Sequence, residues 1–97
     1  MAFIQTIEMA TAKIDEIRAL EEKWRAATEG KRTLRRSIIC QDRNDPKKYV
    51  IFAFFDSYES AMQNSQLPET SEFADAQRAL LDGEPVFRDF DVIEEQA

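Results

Sequence analysis

The sequence predicts an α+β domain in which a four-stranded antiparallel sheet carries helices on one face. The order of apolar periodicities along residues 1–97 gives strands and helices in the order β-α-β-β-α-β. Residues 49–55 form a predicted strand that is apolar on both faces, because strand side chains alternate between the two faces. A length of 97 residues allows one domain, whose few helices cannot cover both faces of a sheet.

The first strand and the first helix follow from a change of period. Residues 3–9 alternate, with one face consisting of Phe3, Ile7 and Met9 and the other of Ile4, Thr6 and Glu8. Residues 13–29 then place apolar side chains at three- and four-residue steps, namely Ile14, Ile17, Leu20, Trp24 and Ala27. Thr11 is the expected N-cap of this helix, and Gly30 is expected to adopt a left-handed conformation after it.

The second and third strands form a predicted hairpin. Residues 33–42 are the predicted second strand. Residues 42–47 predict a turn, because Asn and Asp side chains can hydrogen-bond their own backbone and Pro restricts its backbone dihedral angle. The third strand ends at Asp56. Asp56 and Glu59 together predict a capping box that starts a short helix.

The last third of the chain predicts a second helix and a fourth strand. Pro68 is expected to interrupt the short helix, and the next helix is expected to begin near Thr70 or Ser71. Its buried face should consist of Phe73, Ala76, Leu80 and Leu81, and Gly83 should end it. Residues 86–93 alternate as a fourth strand, with Phe90 and Val92 on one side.

This order of elements, with right-handed crossovers, predicts the ferredoxin-like arrangement. The helices then cover one face of the sheet only. The other face would leave apolar side chains in water, so we expect it to pair with the sheet of an identical chain. The predicted assembly is a homodimer whose sheets pack face to face and close toward a barrel.

Composition excludes several classes of function. A net charge of −6 and a pI near 4.6 have the wrong sign for a phosphate-binding surface, so no nucleic-acid partner is expected. The absence of histidine excludes His-dependent nucleophilic catalysis, His-ligated zinc and proximal-His haem. We therefore expect no metal and no cofactor. The single cysteine, Cys40, is expected to be a small core residue.

Location is predicted from what the sequence lacks. No apolar run approaches the roughly 20 residues that cross a bilayer, so no membrane association is expected. Residues 1–5 do not have the basic start and long apolar core of a secretory signal. A cytoplasmic location is the resulting expectation.

The chain resembles the antibiotic-biosynthesis monooxygenase-like proteins of the dimeric α/β-barrel superfamily. The resemblance rests on the order of elements, on the strand Tyr49 to Phe55 running into Asp56-Ser57-Tyr58-Glu59-Ser60-Ala61, and on the segments 67–69 and 87–92. It implies a pocket between the sheet and the helices of each subunit. Three family features are absent. The only asparagines, Asn44 and Asn64, are not on strands; the Trp position holds Phe54 or Phe55; and Met62 stands where relatives often have His.

We predict that this pocket is lined by residues drawn from Trp24, Arg36, Tyr49, Phe52, Phe54, Tyr58 and Met62. Alternation prevents all the residues of the third strand from sharing it. Either Tyr49 faces the helices or Phe52 and Phe54 do, and we favour the second arrangement. Arg36 is the candidate for stabilising an oxyanion, and Tyr58 or Tyr49 for donating to a ligand oxygen. In the alternative interpretation these residues have only structural roles: the tyrosines pack against neighbouring side chains, and Arg36 is exposed to solvent.

Two functions fit these residues. The first is a cofactor-free monooxygenase of an aromatic phenol or quinol, in which the substrate supplies the electrons and the protein supplies a dry cavity. The second is a non-catalytic module that binds a small molecule or acts as an accessory protein. The missing Asn, Trp and His side chains favour the second, while an aromatic-lined cavity suits both.

Overall fold

The computed structural model describes residues 1–97 and confirms the ferredoxin-like α+β architecture. Its elements are β1 (Phe3–Ala10), α1 (Ile14–Ala27), β2 (Arg36–Gln41), β3 (Lys48–Phe55), α2 (Tyr58–Ser65), α3 (Pro68–Arg78) and β4 (Val86–Asp91). The four strands form one antiparallel sheet in the order β2-β3-β1-β4. The longest helix, α1, has 14 residues, and no helix combines the length and the hydrophobicity needed to span a bilayer.

The helices cover one face of the sheet, which we call the helix face. Its core on β3 is Ile51, Ala53 and Phe55, which are 7%, 8% and 6% exposed. Ala53 and Phe55 pack with Ala61 of α2, and Ile51 packs with Ile17 of α1. The prediction that Phe52 and Phe54 face the helices was therefore wrong. Small side chains at positions 53 and 61 let α2 approach the sheet closely, and alternation then turns both phenylalanines the other way.

The opposite face of the sheet, which we call the open face, has no helix over it. Three side chains from each strand lie on it in register, and cross-strand pairing arranges them in three rows. The first row is Arg36, Phe54, Ile4 and Phe90; the second is Ile38, Phe52, Thr6 and Arg88; the third is Cys40, Val50, Glu8 and Val86. Cys40 is exposed there, so its predicted place in the core was wrong because β2 turns it away from the helices.

The helix starts differ from those predicted. Lys13 occupies the N-cap position of α1 without a side-chain cap. The Thr11 hydroxyl accepts from the Lys13 backbone amide at 2.9 Å and donates to the Leu80 carbonyl at 2.7 Å. The capping box of α2 is formed by Ser57 and Ser60 rather than by Asp56 and Glu59. A serine at each position is enough for the reciprocal bonds, which the sequence pattern with Glu does not anticipate.

The predicted conformation of Gly30 and the predicted hairpin turn are confirmed, whereas the starts of α3 and β2 differ from the prediction by a few residues. Gly30 has a φ of 81°, the left-handed conformation expected after α1. The hairpin turn forms as predicted, with the Asn44 backbone amide donating to Asp42 Oδ1 at 2.7 Å. Pro68 begins α3 rather than preceding it by two or three residues, because proline is well suited to the first helical position. β2 is shorter than predicted and begins at Arg36.

Candidate functional site

The seven predicted site residues do not meet in one pocket. Phe52, Phe54 and Arg36 lie on the open face. The remaining four are on the helix side but lie apart, at the α1–α3 contact (Trp24), at the hairpin (Tyr49), in the core (Met62) and at the start of α2 (Tyr58). The structure thus separates the predicted aromatic strand residues from the predicted polar group on α2.

Arg36 occupies a corner of the open face. Its Cζ lies 4.7 Å from the centroid of the Phe54 ring, a cation–π distance. Elsewhere on the face, Arg88 Nε donates to Glu8 Oε2 at 2.9 Å. Arg36 has no carboxylate within 4.0 Å. It is therefore the cation of this face that lacks an anionic partner.

Trp24 lies in a small crevice between α1 and α3. Its Nε1 donates to Thr70 Oγ1 at 2.9 Å, and its ring lies 6.3 Å from that of Phe73. The crevice offers about 90 Å³. Ligand pockets usually span about 300–1,000 Å³, so this crevice is smaller than a typical ligand pocket.

Tyr49 and Met62 make contacts within the chain. Gln41 Nε2 lies 3.3 Å from the Tyr49 hydroxyl across the β2–β3 hairpin. Met62 is half-buried against the cluster of Phe3, Ala53, Phe55 and Ala61. Neither side chain lines a ligand-sized cavity on the helix side.

Tyr58 lines a cleft on the helix side whose volume falls in the range of ligand sites. This cleft offers about 590 Å³ and lies where the start of α2 meets the start of β1 and the end of β4. Its lining is Met1, Phe3, Ser57, Tyr58, Glu59, Asp89 and Asp91. The Ser57 cap fixes the first turn of α2, and the Tyr58 ring meets the Phe3 ring edge-on at 5.5 Å. Tyr58 is 49% exposed, so its hydroxyl can donate to a molecule in the cleft.

The electrostatics of the cleft are acidic. Glu59, Asp89 and Asp91 line it, and no lysine or arginine does. Asp89 is oriented by Gln5, whose Nε2 donates to Asp89 Oδ1 at 3.1 Å. No group of three or more His, Cys, Asp or Glu side chains is arranged to hold a metal ion. A neutral or cationic molecule suits this cleft better than an anion does.

Two ion pairs away from the cleft shift the pKa values of Arg35, Asp56 and Glu69. A hydrogen bond from Arg35 lowers the pKa of Asp56, and a hydrogen bond from Lys31 lowers the pKa of Glu69. The same pairing raises the pKa of Arg35. These are exposed ion pairs, with Arg35 Nε 2.9 Å from Asp56 Oδ2 and Lys31 Nζ 2.7 Å from Glu69 Oε2.

The sequence missed most of this cleft. Asp89 and Asp91 line the cleft because β4 pairs with β1 in a register that sets Asp91 opposite Phe3. That pairing joins residues more than eighty positions apart, and no local pattern reports it. The alternation of residues 87–91 was the one available signal, since it places both aspartates on the same face of β4.

Comparison with known proteins identifies the fold. No protein-family model matches the sequence. No curated protein matches it either. Among solved structures, SnoaB from Streptomyces nogalater, a cofactor-independent oxygenase, superposes with a TM-score of 0.81 at 15% identity, covering 97% of this chain and 95% of that one.

Two further solved structures have the same fold as this chain. A protein from Caulobacter crescentus, provisionally assigned as an antibiotic biosynthesis monooxygenase, has a TM-score of 0.81 at 12% identity, covering 96% of this chain and 91% of that one. A conserved protein from Methanosarcina mazei Go1 has a TM-score of 0.80 at 14% identity, covering 93% and 91%. At these identities the likeness concerns the backbone and not the site. The chain therefore has the fold of the antibiotic biosynthesis monooxygenase-like proteins.

Proposed function

We propose that this chain works as a homodimer, paired through its open face, that binds a neutral aromatic small molecule beside Tyr58 without oxidising it. The observation that supports this proposal is that Arg36 and the Tyr58 cleft lie on opposite sides of the sheet. Arg36, the group predicted to stabilise an oxyanion, lies on the open face, whereas the Tyr58 cleft lies on the helix side. The sheet stands between the Tyr58 cleft and that cation.

The open face supports pairing with a second copy. Eight of its positions are apolar, namely Ile4, Ile38, Cys40, Val50, Phe52, Phe54, Val86 and Phe90. Ile38, Val86 and Phe90 are 38%, 47% and 48% exposed in the single chain. A contiguous apolar face of this kind is rarely left in water by a monomer. A second copy offers a surface of the same size and hydrophobicity.

The Tyr58 cleft supports binding of an aromatic molecule. Phe3 and Tyr58 supply ring surfaces, and the Tyr58 hydroxyl supplies a donor for a ligand oxygen. Carboxylates from Glu59, Asp89 and Asp91 would repel a phenolate, so the neutral form of a ligand should bind. The same repulsion opposes catalysis, because oxygenation without a cofactor draws its electrons from an electron-rich, usually anionic, substrate.

A second candidate function is cofactor-free oxygenation of a phenol or quinol. It is favoured by the likeness to SnoaB, described as a cofactor-independent oxygenase, over 97% of this chain. In that case Tyr58 would be the polar group closest to the substrate, and the protein would need neither metal nor cofactor.

One panel of compounds tests both functions. Calorimetric titration of metal-free protein with neutral phenols, quinols and matched aromatic carboxylates should show saturable binding of the neutral compounds and about tenfold weaker binding of the carboxylates. Tyr58→Phe should weaken binding about fivefold, while the matched control Tyr49→Phe should leave it unchanged. Equal loss in both variants would contradict the assignment of the cleft.

An oxygen electrode separates binding from catalysis. We expect no oxygen consumption above the protein-free rate with any compound that binds. Turnover that Tyr58→Phe slows about tenfold would overturn the binding function in favour of the oxygenase.

A further inference from the structure

The carboxylates of the Tyr58 cleft have no cationic partner within the chain. The ion pairs of the structure involve other acidic residues, namely Glu8, Asp56, Glu69 and Glu84. The α-amino group of Met1, which also lines the cleft, has no carboxylate within 4.0 Å. Glu59, Asp89 and Asp91 therefore concentrate uncompensated negative charge around one cleft.

Most oxygens of these carboxylates are available to a ligand. Asp89 Oδ1 accepts a hydrogen bond from Gln5 Nε2 at 3.1 Å, and this bond orients the Asp89 carboxylate while Oδ2 stays available. Glu59 and Asp91 are exposed. The cleft thus presents several acceptors of full negative charge and, among the side chains that line it, the Tyr58 hydroxyl and the capping Ser57 as neutral donors.

The carboxylates lie within reach of the Tyr58 ring. Asp89 and Asp91 share one face of β4 and are about 7 Å apart along the strand. Strand pairing sets Asp91 opposite Phe3, whose ring meets the Tyr58 ring at 5.5 Å. A ligand ring that packs on Tyr58 can therefore place a short side chain beside both aspartates.

The cation that matches this arrangement is an organic amine. No group of three or more His, Cys, Asp or Glu side chains is arranged to hold a metal ion. A primary ammonium group has three donors, each of which can bond a different carboxylate oxygen, and charge strengthens those bonds. An alkylamine also carries an apolar body, which can pack on the exposed Tyr58 ring.

We propose that the ligand of the Tyr58 cleft is an arylalkylamine, whose uncharged ring packs on Tyr58 and whose protonated amine binds Asp89 and Asp91. The proposal rests on the proposed function and names the ligand class of that same site. It extends the electrostatic order of the cleft by one step, because carboxylates that disfavour an anion relative to a neutral compound favour a cation over both.

Matched probes test the ligand class. Phenethylamine is protonated at pH 7, phenethyl alcohol is its neutral counterpart, and hydrocinnamate is an anionic one. Calorimetric titration at about 50 mM salt should show the amine binding about tenfold tighter than the alcohol, and hydrocinnamate weakest. The ratio of amine to alcohol affinity should shrink at about 500 mM salt, because the carboxylates are exposed. Hexylamine, which has no ring, should bind at least about fivefold more weakly than phenethylamine.

Amide variants test the assigned carboxylates. Asp89→Asn/Asp91→Asn should reduce the ratio of amine to alcohol affinity from about tenfold to about twofold or less. The matched control Glu22→Gln/Asp75→Asn removes the same charge from exposed helix positions and should keep the wild-type ratio. Backbone amide shifts induced by phenethylamine in a ¹⁵N-labelled chain should be largest at residues 57–59 and 89–91.

The outcomes separate this inference from the proposed function. If no probe binds, both are overturned. If the alcohol binds and the amine binds no tighter, the amine proposal is overturned and the proposed function stands. An amine preference that survives Asp89→Asn/Asp91→Asn, or that hexylamine shares in full, would likewise overturn the amine proposal.

Discussion

The two faces of β3 are equally apolar in sequence, yet they differ completely in surroundings. Ile51, Ala53 and Phe55 are buried under the helices, whereas Val50, Phe52 and Phe54 are half-buried with nothing above them. The difference teaches that hydrophobicity alone does not identify the core of a two-sided strand. In the folded chain the helices cover the face on which Ala53 packs against Ala61 of α2, where small side chains leave room for the helix.

The largest predicted effect compares neighbours on the two faces. Phe55→Ala should lower the free energy of unfolding by about 3–5 kcal/mol, because it opens a cavity among Phe3, Ala53 and Ala61. Phe54→Ala should cost less than about 1 kcal/mol, measured by urea unfolding at a concentration low enough for the chain to be monomeric. Equal losses of unfolding free energy in the two variants would show that the two faces of β3 contribute equally to the stability of the chain.

The next effect concerns assembly. Phe52→Asp places a charge in the middle row of the open face, so it should raise the dimer dissociation constant at least about 100-fold while the far-UV circular dichroism of the chain stays unchanged. The measurement is sedimentation velocity over a concentration series. Glu59→Gln, on the helix side, is the control that should keep wild-type assembly.

A smaller effect is expected within the helix layer. Trp24→Phe removes the indole donor to Thr70 Oγ1 but keeps an aromatic ring beside Phe73. It should reduce the free energy of unfolding by about 1 kcal/mol and leave the dimer dissociation constant unchanged. A change in assembly would contradict the placement of Trp24 away from the open face.

The smallest effect is the dependence of stability on pH. Because Lys31 lowers the pKa of Glu69 in the folded chain, this pair stabilises the fold at pH values above the unfolded pKa of Glu, about 4.3. That stabilisation is lost as the pH falls below this value and through the lowered pKa. Glu69→Gln should therefore reduce the difference between the urea midpoints at pH 7 and pH 3. An unchanged difference would show that the pair contributes nothing, as is common for exposed pairs.

Local chemistry was enough to predict much of the fold. The alternation of β1, the three- and four-residue steps of α1, the Asp42 turn and the left-handed Gly30 all depend on residues close together in sequence, and all are present. The observed capping residues of α2 and the observed start of α3 differ from the predicted positions by one to three residues. The reason is that several neighbouring side chains can accept hydrogen bonds from the free amides at a helix start.

The candidate site depends on contacts that no local pattern encodes. The sequence by itself determined that Phe52 and Phe54 share one face, that Asp89 and Asp91 share another, and that Arg36 begins a strand. Only the tertiary structure decided which face the helices cover and which residues β4 brings beside Tyr58. The physical reason is that alternation specifies relative orientation along a strand, whereas the choice of face and the register between distant strands are set by packing over the whole sheet.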